Sequence, residues 1–184
     1  MALASNILQP QRASRWVRWY PPDPPFFKLN TDGAMDHASG HASAGGLVRD
    51  SMGHWVQGFA THIGTTSSFM AELWGCREGL KLACQLGIDH LILEMDSLLA
   101  VQMIQDRKRV EGPASVLIAD IFDLLSSFSV FSVRHTLREG NFAADFMASL
   151  GHGLPLGTTH FMDPPAGLNQ TLQGDITGTM FLRV

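Results

Sequence analysis

A chain of 184 residues, 45% of them hydrophobic and with a mean hydropathy of +0.07, can bury a core of its own. It lacks the run of about 20 apolar residues that a membrane-spanning helix needs. The formal charge of −4 excludes strong polyanion binding unless bound cations change its sign, and the charge is uneven: residues 1–25 carry +2 and residues 151–184 carry −1, which leaves −5 on the middle.

In chain order, the first segment, MALASNILQP, has no basic start followed by a long apolar stretch. No secretory signal is therefore expected, and the expected location is intracellular, in nucleus or cytoplasm. The proline cluster YPPDPP at 20–25 closes an N-terminal arm, residues 1–25, in which Trp16 and Trp19 are expected to anchor against the domain. FKLNT reads as a first strand. GGLVRD (45–50) and HWVQGFATH (54–62) flank Ser51-Met52-Gly53 as a hairpin. His37 and His41, in the preceding loop, have the i, i+4 spacing of metal ligands, but their glycine and serine neighbours point to a plain loop.

Ser68 to Gln85 is the clearest helix, with Phe69, Leu73, Cys76, Leu80 and Ala83 forming one apolar stripe, Ser67 or Ser68 available as cap and Gly87 as stop. Its two cysteines, Cys76 and Cys84, stand eight residues apart, a helical rise of about 12 Å that forbids a disulfide. Free thiols suit a reducing compartment, and two of them argue against a cysteine-built zinc site. LILEMD (91–96) reads as a buried strand, 97–105 and 114–126 as helices, FSVFSVRH (128–135) as a strand and Glu139 to Leu150 as a last helix. The Gly-, Pro- and Thr-rich residues 151–184 are expected to form a mostly irregular tail, so that the domain proper spans 26–150. The order β-β-β-α-β-α-α-β-α predicts an α/β fold with a mixed sheet flanked by helices.

The acids fall at telling places. Asp32 closes the first strand and Asp96 the fourth, Glu72 lies on the first long helix among small neighbours, and Asp145 lies on the last. Each has an ordinary reading: Asp32-Gly33 is a common turn dipeptide, Asp96 can cap the helix that follows, and Glu72 and Asp145 can be solvated helix residues. Together they can converge at one sheet edge, where open α/β folds place ligands. Four clustered carboxylates repel one another unless divalent cations neutralise them, and all-oxygen ligation suits Mg²⁺ or Mn²⁺. Two such ions would bring the central charge from −5 to −1, which removes most of the objection to a nucleic-acid substrate.

KLNTDGA, the hairpin around VRD-SMG, MAELWGCREGLKLA, LILEMDS and VRHTLREGNFAAD-FMASLG resemble, in order and spacing, the plant ribonuclease H-like domain associated with non-LTR retrotransposons. The resemblance covers about residues 16–150. It implies a ribonuclease H-like fold, with a five-stranded mixed sheet of order 3-2-1-4-5 and an antiparallel strand 2. It also implies that Asp32, Glu72, Asp96 and Asp145 are catalytic acids holding two Mg²⁺ or Mn²⁺ ions. The implied reaction is hydrolysis of the RNA strand of an RNA–DNA hybrid by a monomer that needs no membrane. Two alternatives stay open: a retroelement-derived nucleic-acid-binding module with little or no activity, and a 3′–5′ exonuclease of the same fold.

The auxiliary histidine of many relatives has two candidate replacements, His135 at a strand end and Arg138 in the loop, while Asn141 stands one turn before Asp145. For substrate contact the candidates are Gly33, Ser68, Ser97 and the charge run Arg107, Lys108 and Arg109, which stands where some relatives carry a longer basic extension. A charge run at a helix end is also a common solvated feature.

Overall fold

The structure is a computed structural model that describes residues 14–107 and 110–183; Lys108 and Arg109 therefore lie outside the described residues. The central strand β2 (Phe27–Met35) is two-faced by its period of two. Leu29 and Thr31 pack toward Gly79 of helix α1 (Ser68–Gln85). Lys28 and Asn30 point to the other face, where polar partners meet them. β2 pairs antiparallel with β3 (His41–Arg49), which pairs antiparallel with β4 (Trp55–Thr65). On its other side β2 pairs in parallel with β5 (His90–Met95), and β5 in parallel with β6 (Val130–His135).

The expected order 3-2-1-4-5 with an antiparallel second strand is thus present, but the sheet has six strands, not five. The sixth is β7 (Gly157–Phe161), antiparallel to β4 at its free edge. β7 comes from the tail that was expected to be irregular. The tail also forms helix α5 (Asn169–Thr177) and strand β8 (Phe181–Arg183), and β8 pairs with β1 (Arg15–Val17) of the N-terminal arm in a separate two-stranded ribbon. These elements are short and are stabilised by partners far away in sequence, so composition alone does not reveal them.

Helices α1, α2 (Leu98–Gln105) and α3 (Ala114–Leu125) cover one face of the sheet over a core that includes Leu29, Leu73, Leu80, Leu93, Ile121 and Val133. Helix α4 (Phe142–Leu150) and α5 cover the other with Leu47, Ala60, Met147, Leu168 and Leu172. The helix predicted from Glu139 begins three residues later than expected, because a 3-10 turn occupies Arg138–Gly140. Two glycines admit the helices that carry acids. A Cβ at Gly33 would lie 2.5 Å from the Glu72 backbone nitrogen, and one at Gly45 would lie 2.3 Å from the Ala148 backbone nitrogen. Among the described residues, no helix is long and apolar enough to cross a membrane.

The arm is anchored by Trp19, which is buried, whereas Trp16 is 65% exposed. Trp19 covers a buried polar network. Lys28 donates to Glu94 at 2.7 Å, and the Arg49 guanidinium stacks 3.5 Å from the Trp19 ring while donating to Asp175 of α5 at 2.6 Å. Burial lowers the Arg49 guanidinium and raises the Asp175 carboxyl, and the contact between them opposes both shifts. Two cations and two anions are matched within this interior.

Candidate metal centre

β2 runs on to Met35, past the point where a strand end was expected, and Gly33 pairs with Ala44 within it. Asp32-Gly33 is therefore not a turn. Instead, the strand delivers the Asp32 carboxylate, only 5% exposed, to the junction of the sheet with α1. Glu72 is presented there by the first turns of α1, whose N-cap is Ser67 accepting from the Met70 backbone N–H at 3.2 Å. Asp96 follows β5 directly. It is not the cap of α2, because the Ser97 side chain takes that role by accepting from the Ala100 N–H at 3.4 Å. That leaves the Asp96 carboxylate for the cluster.

Each of Asp32, Glu72 and Asp96 offers an oxygen within 4.8 Å of the others. Burial pushes Asp32 up to about 10, with the charges of Glu72, Asp96 and Asp145 adding to the effect. Burial and the Asp96 charge push Glu72 up to about 8, and burial raises Asp96 as well. One oxygen, Glu72 Oε2, is buried without a hydrogen-bond partner. An orphaned, desolvated carboxylate oxygen among like charges is what a hard divalent cation would satisfy, so the donor set fits Mg²⁺ or Mn²⁺.

Asp145 lines the same cleft, as do Gly33, Met35, His37, Ser68, Arg138 and Ser149, but it stands outside the close triad. It accepts from the Arg138 guanidinium at 3.1 Å in an exposed ion pair. Asn141 is buried beside the cleft and bonds to β2. His135 does not line the cleft; its ring contacts the Asp96 carbonyl at 3.1 Å from the strand end. Arg107 lies against Phe122 on the α2–α3 side, away from the acids. Ser149 was missed, although its i+4 spacing from Asp145 puts it on the same helix face. Of the histidine pair, His37 reaches the cleft while the His41 ring lies tilted beside that of His62, 6.0 Å away.

These shifts predict a pH dependence of stability. The folded pKa values exceed the unfolded carboxylate values, so the folded state holds more protons between about pH 4 and the raised values. In a chelator, stability is expected to be greatest on the acidic side of this window and to fall as pH rises through it. Thermal unfolding at about pH 5.5 and about pH 9, with and without Mg²⁺, checks this. Mg²⁺ should recover stability mainly at the higher pH.

A family described as reverse transcriptase-like matches residues 30–151, which contain all four acids. An Arabidopsis thaliana protein named "Putative ribonuclease H protein" is 35% identical over 174 residues, which is 95% of this chain. The chain belongs to the plant ribonuclease H-like family. This ribonuclease H-like chain spans 28% of the Arabidopsis relative's length. Its fold is shared with ribonuclease H1 of Halobacterium salinarum, at 24% identity and a TM-score of 0.65 over 70% of this chain and 98% of that one. The N-terminal ribonuclease H domain of a Mycobacterium tuberculosis protein matches at 25% identity and 0.65, over 70% of this chain and 94% of that one. LC11 ribonuclease H1, solved with an RNA/DNA hybrid, matches at 24% and 0.62, over 67% and 94%.

Proposed function

We infer that this domain is a divalent-metal-dependent endonuclease that hydrolyses the RNA strand of RNA–DNA hybrids. The observation that carries the reading is the convergence of Asp32, Glu72 and Asp96 to within 4.8 Å, in a chain of the ribonuclease H-like family. The hybrid bound to the structural neighbour LC11 ribonuclease H1 supports the substrate class. Asp32, Glu72 and Asp96 would hold the metal, with Asp145, which lines the same cleft, completing the ligand set. Bound there, two Mg²⁺ or Mn²⁺ ions would supply Lewis-acid stabilisation of charge developing on phosphate oxygens and lower the pKa of water.

The protein's own groups do the rest. Gly33 and Ser68 line the cleft beside the acids and are placed to meet the RNA backbone, whose 2′-hydroxyls distinguish RNA from DNA. Arg138, 67% exposed next to Asp145, is the cation best placed to meet a phosphate, which favours it over His135 as the auxiliary residue. Ser97, spent on the α2 cap, and Arg107, on another face, have less to offer the substrate.

The test is a panel of end-labelled substrates in Mg²⁺: a hybrid, single-stranded RNA, an RNA duplex and a DNA duplex. Internal cuts confined to the RNA of the hybrid are expected. A hybrid that is bound yet stays intact would make the domain a binding module, and stepwise shortening from 3′ ends would make it an exonuclease.

A further inference from the structure

The triad is assembled by β2, the end of β5 and α1, but Asp145 reaches the cleft on α4, and something has to set the distance between α4 and β2. Asn141, immediately before α4, does not cap the helix with its side chain. It is spent instead on β2: its Nδ2 donates to the Thr31 carbonyl at 3.0 Å, and its Oδ1 accepts from Asn30 Nδ2 at 3.2 Å. Thr31 adjoins Asp32, and Asn141 lies one helical turn before Asp145, whose backbone N–H donates to the Asn141 carbonyl at 3.0 Å.

Asn30 is fully buried and its amide is fully used. Nδ2 donates to Glu94 Oε2 at 3.2 Å as well as to Asn141. Oδ1 accepts from Trp19 Nε1 at 3.0 Å and from Arg49 Nη2 at 2.9 Å. A flipped amide would set its NH₂ against two donors, so Trp19 and Arg49 fix its orientation and hence the donor aimed at Asn141. Arg49 in turn needs the Asp175 carboxylate, 2.6 Å away, to be buried at all. Trp19 and Asp175 both lie outside residues 30–151, the segment shared with the family.

We propose that Asn141 and Asn30 are positioning residues that hold Asp145 against the metal-binding triad, and that the two terminal segments belong to this device through Trp19 and Asp175. The proposal rests on the metal-dependent nuclease reading, and its test uses metal binding so that the two can fail separately.

Calorimetric titration of the whole chain with Mn²⁺, without nucleic acid, compares wild type with Asn141→Ala and Asp175→Asn, each first checked for a cooperative thermal transition. Asn141→Ala is expected to lose about ten-fold or more in Mn²⁺ affinity, the scale for removing a group that orients a ligand. Asp175→Asn is expected to show a smaller loss in the same direction. On a hybrid at fixed Mn²⁺, kcat should fall in both while KM holds, because no phosphate contact is removed. If Asn141→Ala does not fold, Asn141→Ser, whose hydroxyl cannot span both partners, takes its place. Variants that fold and bind Mn²⁺ as wild type does overturn the proposal, even if their unfolding temperature drops. A wild type that binds Mn²⁺ but leaves the hybrid intact contradicts the nuclease reading, and the affinity comparison still decides this one.

Discussion

Asp32→Asn is expected to reduce hybrid cleavage by well over 100-fold while leaving the fold intact. Losing a group that merely orients a metal ligand costs roughly 10- to 100-fold, and Asp32 is placed to be a ligand itself, so the larger loss follows. The substitution keeps shape and polarity but removes a carboxyl group that burial and the charges of Glu72, Asp96 and Asp145 push up to about 10. In a chelator the variant should therefore be at least as stable as wild type. This matches the general pattern in which functional sites are built at some expense to stability. Added Mg²⁺ should raise the unfolding temperature of the wild type and do little for the variant. Activity assays paired with thermal scans in Mg²⁺ and in EDTA check both parts, and a variant that cleaves at the wild-type rate would remove Asp32 from the site.

The largest stability effect is expected at Arg49. Its side chain is fully buried, and Arg49→Met would leave the Asp175 carboxylate without its cation, Asn30 without one donor and Trp19 without its stacked partner. Removing one member of a buried ion pair costs about 3–5 kcal/mol, which for a domain of this size is a fall of roughly 10 °C in Tm. Urea unfolding measures it. The double variant Arg49→Met, Asp175→Leu should recover part of the loss, since the uncompensated charge is gone. A midpoint change equivalent to less than about 1 kcal/mol in the single variant would mean that the pair is not buried in solution.

How far this molecule can be read from its sequence differs from element to element. Helix α1 was legible in its bounds, because Leu73, Cys76, Leu80 and Ala83, with the partly buried Phe69, mark its inward stripe, while its cap was narrowed only to Ser67 or Ser68 and its stop was Gly87. The motifs pointed to four acids, of which the structure brings Asp32, Glu72 and Asp96 together and leaves Asp145 on the cleft wall, and the order of the strands came from the family resemblance and not from periodicity. Local rules misplaced two details. Asp32-Gly33 carries a turn signature, yet pairing with β3 holds Asp32 and Gly33 in an extended strand. Asp96 and Ser97 compete for one cap, and the residue next to the helix won.

The terminal segments were illegible for a physical reason. α5 buries only Leu172 and Asp175, too few positions for an apolar stripe, and one of these is a carboxylate. The partner of that carboxylate, Arg49, stands 126 residues earlier. β7 is five residues, two of them threonine, and is stabilised by the open edge of β4. Lys28, a charge within an apolar run, was readable as one face of β2, but not as half of a buried pair with Glu94, 66 residues away.

The chemistry of the cleft depends on whether the acid cluster works through a divalent cation. The most direct measurement is the rate of hybrid cleavage by the intact chain as Mg²⁺ is titrated into metal-stripped protein. The predicted result is no cleavage in chelator and a rate that rises and saturates with Mg²⁺. Cleavage that proceeds equally in chelator, or a hybrid left intact at saturating Mg²⁺ and Mn²⁺, would contradict it.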